Sequence, residues 1–257
     1  MEPRPLASDT SPRSIELLHV DADVVVANKP SGLIVHRGWD NDDDVVMFRV
    51  RDAIGSHVYP VHRLDRGTSG AIVFARTREA AAVLARAFET GRISKRYIAL
   101  VRGVPPEEGV IDYPIPKSEG GARVPAVTRF RVLARSPVDR CSLVLAMPET
   151  GRLHQVRRHL CHIHHPIVGD VKHGSGEINR HYRATYGLHR LALHAAGIAF
   201  DHPATSIRLD VEAPVPDDFA PALVALGVPY SARDHEAASA DSREGEDGGR
   251  AGCTDAP

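Results

Sequence analysis

Cysteine is scarce in this chain, which has three thiols in 257 residues. Cys141, Cys161 and Cys253 are widely spaced, and no Cys-x-x-Cys pair occurs. An odd number of scattered cysteines argues against the disulfide framework of small secreted domains and against a cysteine-ligated zinc ribbon. The pattern predicts a protein of the reducing cytoplasm.

Long apolar stretches are also missing. The longest ones, around residues 24–27 and 71–75, have the length of a β-strand, whereas a membrane-spanning helix needs about 20 apolar residues. Residues 1–13 are polar, contain proline and lack a hydrophobic signal core. We therefore expect no membrane partner, and a disordered N-terminal lead over residues 1–13.

Net charge is small, with a formal value of −1 at pH 7, but it is unevenly distributed. Residues 231–257 carry seven acidic side chains against three arginines and almost nothing apolar, which predicts a disordered acidic tail. The first 230 residues are mildly basic, with 29 basic and 26 acidic side chains. From Arg152 to His194 there are seven Lys or Arg, two acidic residues and nine histidines. That stretch predicts either a solvated basic face or a surface that binds RNA.

Hydrophobic periodicity divides the rest of the chain into short strands and helices. Apolar, β-branched segments predict strands within 15–27, 71–75, 97–101, 126–133, 142–146, 192–200 and 206–212. Helical spacing predicts helices over 45–54, 79–89, 152–163 and 217–226, with Thr150 as the N-cap of the third. Together with the length and composition of the chain, they indicate a single domain over residues 14–230.

The densest polar motif is Val61-His62-Arg63-Leu64-Asp65-Arg66-Gly67-Thr68-Ser69-Gly70, directly before an apolar strand. Its carboxylate lies between two guanidinium groups, which suit phosphate and favour an ionised Asp65. A salt-bridged surface turn would give the same pattern. The motif alone leaves both interpretations open.

Three further stretches accompany this motif. They are Val26-Ala27-Asn28-Lys29-Pro30-Ser31-Gly32, Lys95-Arg96-Tyr97-Ile98-Ala99, and Thr150 to Arg157 followed by His165 to Asp170. In this order, over roughly residues 15–215, the four motifs resemble the RluA family of pseudouridine synthases, and four ordered motifs are far more specific than one. Segments 33–37, 155–160, 170–174 and 187–195 are most similar to the branch that modifies uridine 65 of tRNA.

The resemblance implies an α+β pseudouridine synthase fold, with a mixed, largely antiparallel bent sheet flanked by helices and loops around a central cleft. It also implies an isomerase that breaks the N1–C1′ bond of an RNA uridine, rotates the base and joins C5 to C1′. This reaction needs neither a metal nor a cofactor. The implied substrate is tRNA. A ribosomal-RNA stem-loop is the alternative within the family, and a catalytically silent RNA-binding protein is the alternative outside it. We expect a monomer.

The resemblance also implies roles for particular residues. Asp65 is the catalytic carboxylate, which either attacks C1′ or removes a sugar proton. Tyr97 packs on the target base and acts as a proton partner, and Arg157 pairs with Asp65. Arg63 fills the gap that a flipped nucleotide leaves. Expected phosphate contacts are Lys29, Arg96 and Arg152.

The histidines raise a separate hypothesis, a metal-dependent hydrolase. Cys161, His162, His164 and His165 place soft and imidazole ligands close together, but a second pair at zinc-finger spacing is missing. We therefore expect no metal site. The neighbouring stretch from Gly169 to Gly174 is expected to line the same cleft as Asp65.

Overall fold

The computed structural model describes residues 14–37, 42–117 and 120–231. The expected disordered lead over residues 1–13 lies outside these ranges, as does the expected acidic tail after Ser231. Within them, no helix is long and apolar enough to cross a bilayer.

One large sheet dominates the fold. The strands are β1 (Glu16–Val20), β2 (Val24–Lys29), β3 (Tyr59–Pro60), β4 (Ser69–Ala75), β5 (Ser94–Arg102), β6 (Glu108–Asp112), β7 (Ile115–Pro116), β8 (Arg123–Val124), β9 (Val127–Arg135), β10 (Cys141–Pro148), β11 (Leu193–Asp201) and β12 (Arg208–Glu212). Ten of them form a sheet with the order β1-β2-β4-β11-β5-β10-β9-β6, to which β3 adds on β4 and β12 on β11; β7 and β8 form a separate hairpin. The strand β4 is buried along its whole length.

Most strand pairs are antiparallel, but β4 and β11 pair in parallel, with Ser69 opposite His194 and Gly70 opposite Ala195. Gly70 has φ +113°, and a Cβ on it would lie 2.2 Å from the carbonyl oxygen of Ala195. Only glycine fits this approach. The mixed, largely antiparallel sheet implied by the resemblance is confirmed. The Asp65 loop leads into β4, and a single strand, β11, lies between β4 and β5.

In the described part of the chain, five helices flank the sheet: α1 (Val46–Ile54), α2 (Arg78–Glu89), α3 (Gln155–His162), α4 (Gly176–Tyr186) and α5 (Ala220–Ala225). The first two match their predictions. The helix α1 ends at Gly55 in the left-handed region, and α2 begins at Thr77, whose hydroxyl oxygen accepts a hydrogen bond from the Ala80 amide. The helix α4 was not predicted.

The start of α3 differs from its prediction. The helix begins at Gln155 and its N-cap is His154, at φ 53°, so Thr150 is not the cap. The Thr150 hydroxyl instead donates to Gln155 Oε1 at 2.7 Å, and the Arg152 amide donates to the same oxygen at 3.0 Å. The Gln155 amide nitrogen donates to the Val127 carbonyl on β9. The buried Gln155 side chain therefore holds residues 150–154 as a turn and delays the helix.

Candidate active site

Asp65 and Arg157, which are 92 residues apart, meet in an ion pair. Arg157 Nη1 donates to Asp65 Oδ2 at 3.0 Å. The Arg157 side chain is 10% exposed and that of Asp65 is 24% exposed. A buried guanidinium thus holds a carboxylate that solvent still reaches.

Asp170 holds the same guanidinium from its other side. Arg157 Nε and Nη2 donate to the two Asp170 oxygens at 2.7 and 2.8 Å, and the amides of Lys172 and His173 each donate to Asp170 Oδ1 at 2.9 Å. Burial favours the protonated carboxyl, but these hydrogen bonds keep the pKa of Asp170 below its ordinary value. A bidentate pair of this kind fixes the orientation of the arginine. Sequence reasoning placed Asp170 in the cleft without this role.

Tyr97 lies on β5 and packs against two of the three hydrophobic clusters. Burial raises the pKa of its hydroxyl well above the ordinary value, and the nearby charge of Asp65 raises it further. The phenol therefore keeps its proton at neutral pH. The structure brings together the three residues expected to be catalytic, Asp65, Tyr97 and Arg157.

Comparison with known proteins identifies the family of this chain. Residues 23–162 match the family described as RNA pseudouridylate synthase. The chain belongs to that family. It is 40% identical over 228 residues to "tRNA pseudouridine synthase C" of Vibrio parahaemolyticus, covering 80% of this chain and 93% of the relative. It is 42% identical over 234 residues to the protein of the same name from Salmonella typhimurium, covering 83% and 90%.

Solved structures support the fold of the synthase. "Human RNA Pseudouridylate Synthase Domain Containing 4" superposes with a TM-score of 0.67 at 30% identity, covering 84% of this chain and 95% of that one. "Human RNA Pseudouridylate Synthase Domain Containing 1" gives a TM-score of 0.70 at 26% identity, covering 94% and 98%. Both the family and the fold class expected from the sequence are confirmed.

Lys29 is fully buried, so it offers no surface to a phosphate. Its ammonium donates to the carbonyls of Pro30, Arg66 and Thr68 at 3.0, 3.1 and 2.7 Å. These three acceptors match the three donors of an ammonium group, although burial lowers the pKa of Lys29 to about 7. The expected phosphate contact is therefore corrected to a structural one: Lys29 holds the turn that carries Asp65.

Replacing Lys29 with methionine is expected to lower the free energy of unfolding by about 2–5 kcal/mol, since three carbonyls lose their donor and a buried unsatisfied group costs about 1–3 kcal/mol. Urea denaturation measures this loss. Lys117→Met, at an exposed position, is the matched control and should stay within about 0.5 kcal/mol of the parent. Equal unfolding midpoints for the two variants would contradict this role for Lys29.

The expected RNA contacts lie in different surroundings. Arg63 is exposed beside Asp65, and Arg152 is exposed before α3. Arg96 pairs with Asp210, with Nη2 2.5 Å from Oδ1, on the opposite face of β5 from Tyr97. Arg96 therefore lies away from the Asp65 site, and its charge is already paired.

Lys95 shares the face of Tyr97, because side chains alternate along a strand. Its ammonium donates to the Thr150 carbonyl at 2.9 Å. Burial lowers the pKa of Lys95 to about 8, and the charge of Arg152 lowers it further. Lys95 is thus a cation beside the site that sequence reasoning missed. Because side chains alternate between the two faces of a strand, a residue two positions before Tyr97 shares its face, and this rule would have identified Lys95.

The histidine-rich stretch from Arg152 to His194 is only partly a surface. His159, His194 and Arg190 are all buried. Arg190 Nη2 donates to the Ser69 hydroxyl at 2.6 Å, and that hydroxyl is 2.8 Å from His194 Nδ1. Arg190 and His194 therefore support the junction of β4 and β11 from inside, which neither interpretation of the basic stretch predicted.

Within the described ranges, one cluster has the composition of a metal site: Asp21, Asp23 and His202, whose ligand atoms lie within 4.8 Å of one another. His202 Nδ1 accepts hydrogen bonds from the amides of Ala204 and Thr205, so the neutral ring carries its proton on Nε2, which lies 3.1 Å from Asp21 Oδ2. A metal at Nε2 would have to displace that proton. These hydrogen bonds fit a structural role, in which His202 links the turn at Asp21 to the turn at 202–205.

Proposed function

We propose that this synthase converts a uridine of tRNA, at position 65, to pseudouridine. The observation that carries the proposal is the carboxylate of Asp65, partly exposed beside Tyr97 and held by the Arg157–Asp170 pair. The names of the two relatives, both tRNA pseudouridine synthases, support tRNA as the substrate.

Asp65 would act on the sugar of a nucleotide flipped out of its helix, because C1′ and C5 cannot be reached together inside a stem. The N1–C1′ bond breaks and its electron pair stays with the uracil. Either Asp65 forms a bond to C1′ or it accepts a sugar proton, and both routes need a nearby ionised carboxylate. Arg157 orients that carboxylate through Oδ2.

Tyr97 would hold the detached base. Stacking on an aromatic ring survives rotation of the uracil in its own plane. The raised pKa of Tyr97 keeps its hydroxyl protonated, so it serves as a proton partner for the base. Arg63, exposed two residues before Asp65, is proposed to fill the space that the flipped nucleotide leaves.

Lys95 and Arg152 are proposed as phosphate contacts on the Tyr97 side. Lys95→Gln should weaken tRNA binding about threefold at low salt and reduce the slope of log affinity against log salt by about 1. With a pKa of about 8, Lys95 is charged at pH 7 and neutral at pH 9, so the difference from the parent should vanish at pH 9. Filter binding at both pH values measures it. Arg96→Gln is the control and should leave the salt slope unchanged. If Arg96→Gln reduced the salt slope more than Lys95→Gln does, Arg96 rather than Lys95 would be the phosphate contact.

Pseudouridine mapping of total RNA from a deletion strain tests the function. Loss at position 65 of tRNA, restored by the parent gene and not by one encoding Asp65→Asn, is the expected result. Loss only in ribosomal RNA would overturn the substrate. No loss in either RNA would favour a catalytically silent RNA-binding protein.

We further propose that residues 14–230 act as one catalytic domain, a cytoplasmic monomer without metal or cofactor. A single sheet contains both β5, which carries Tyr97, and β4, into which the Asp65 loop leads, and this supports one domain. Cys141 and Cys161 are free thiols, as a reducing compartment maintains them. Stoichiometric zinc or iron in the purified protein would contradict this proposal and favour a metal-dependent hydrolase.

A further inference from the structure

Two histidine rings lie in series next to Asp65: His154 is near the carboxylate, and His173 contacts His154. His154 Nε2 lies 3.9 Å from Asp65 Oδ2, the oxygen that accepts from Arg157. The other nitrogen of the ring, His154 Nδ1, is 3.2 Å from His173 Nε2. The two rings meet edge to face, with centroids 5.4 Å apart and planes at 73°. His154 therefore links the reactive carboxylate to His173.

Hydrogen bonds of the backbone hold the main chain of both histidines in place. His154 is the N-cap of α3, held at φ 53°, and its carbonyl accepts from the Arg158 amide at 2.9 Å. The His173 amide donates to Asp170 Oδ1. Asp170 thus holds both Arg157 and the loop of His173. The two histidines are therefore part of the same hydrogen-bonded network that holds Asp65.

The environment of both rings favours their neutral form. Burial, the largest effect, lowers the pKa of His154 and of His173 below the ordinary value. Four charged groups face the pair. The arginines lower the pKa further and the carboxylates oppose them: Arg157, Arg158, Asp65 and Asp170. Each neutral ring carries one N–H, so only one of the two can donate across the 3.2 Å contact.

The charge of Asp65 decides which ring donates. If His154 Nδ1 donated, its Nε2 lone pair would face the carboxylate, and two acceptors would repel each other. If His173 Nε2 donates, His154 Nδ1 accepts and the Nε2–H of His154 faces the carboxylate. Electrostatics favours the second arrangement, since the partner of one imidazole nitrogen sets the proton position on the other.

We propose that His173 is a positioning residue that holds His154 in the Nε2–H tautomer, and that His154 presents this N–H to Asp65 and to the nucleotide bound there. At 3.9 Å the N–H is too far from the carboxylate for a full hydrogen bond, so a nucleotide oxygen can take it. When the glycosidic electron pair moves to the uracil, a fixed neutral donor stabilises the developing charge. This inference rests on the proposed function of the site.

Paired substitutions of His173 test it in kinetics. Gln places an amide N–H near the position of the imidazole Nε2, whereas Leu fills space without a donor. His173→Gln should keep kcat on tRNA within about threefold of the parent. His173→Leu should lose about tenfold or more in kcat with little change in KM, as expected for a residue that orients a catalytic group. His181→Leu, on the exposed side of α4, is the control and should match the parent.

Nitrogen NMR of ¹⁵N-histidine-labelled protein reads the tautomer directly. The His154 signals are assigned by their loss in His154→Asn. The parent and His173→Gln should show the Nε2–H form at pH 7, and His173→Leu should show a mixture of both forms. An Nδ1–H form of His154 in the parent would overturn the proposal, and so would equal kcat for His173→Leu and His173→Gln.

The two measurements separate the failure of this inference from the failure of the proposed function. An inactive parent on tRNA would refute the function, while the NMR result would still decide whether His173 sets the tautomer. An active parent with the wrong tautomer would refute only the role of the histidine pair.

Discussion

Replacing Asp65 with asparagine is expected to reduce pseudouridine formation at least about a thousandfold. Asparagine keeps the shape of the side chain and still accepts from Arg157. It has no negative charge, so it can neither attack C1′ nor take up a sugar proton. Binding of tRNA should stay within about threefold, because the phosphate contacts remain. Single-turnover assays with tRNA measure the first quantity, and filter binding measures the second.

Asp112→Asn, at an exposed position on β6, is the matched control for Asp65→Asn and should retain full activity. An Asp65→Asn protein as active as this control would refute the enzymatic assignment of the site. Loss of both activity and tRNA binding would instead show that Asp65 supports the RNA surface rather than the chemistry.

Replacing Arg157 with leucine is expected to lower the free energy of unfolding by about 3–5 kcal/mol, since it leaves the carboxylate of Asp170, 1% exposed, without its charged partner. Activity should fall at least about a hundredfold, because Asp65 also loses the hydrogen bond that Arg157 Nη1 donates to it. Urea denaturation and the tRNA assay measure the two losses.

The pH dependence of this stability loss follows from Asp170. Hydrogen bonding keeps its pKa below the ordinary 3.8 in the folded parent, so its stabilising contribution is present above that value and is lost as the pH falls through the folded pKa. In Arg157→Leu, protonation of Asp170 relieves the unpaired charge. The stability difference between parent and variant should therefore narrow towards acidic pH, and a constant difference would contradict this explanation.

A double variant separates structure from catalysis. Adding Asp170→Asn to Arg157→Leu removes the buried unpaired charge, so stability should recover in part. Activity should not recover, because Asp65 still lacks its orienting guanidinium. Recovery of both would mean that Arg157 serves the fold alone.

Local pattern predicted the elements that surround the site. The apolar run at 71–75 and the helical spacing at 45–54 and 79–89 correspond to β4, α1 and α2. The parallel pairing of β4 with β11 could not be predicted, because Ser69 and His194 are 125 residues apart and periodicity does not identify a strand's partner. The start of α3 was missed because a buried Gln155, rather than a capping hydroxyl, organises the turn before it.

The motifs identified residue types but not the direction of side chains. They gave the Asp65–Arg157 pair, because those positions carry the family pattern. They misplaced Lys29, since a fully buried lysine with three carbonyl partners has no local signature, and Arg96, since its charge partner is Asp210 on β12. The role of Asp170 depends on the fold of the loop after α3, which no spacing rule describes.

The position of β11 in the sheet has a consequence for how the molecule assembles. Residues 193–201 insert between β4 and β5, which precede them by about a hundred residues in the chain. Until that segment is synthesised, the edges of both strands lack their neighbour, and such unpaired edges are prone to wrong pairing. Asp65 and Tyr97 are therefore synthesised early, but the distance between them is fixed only when β11 has inserted between β4 and β5. The active site can form only after the C-terminal third of the chain has been synthesised and has folded.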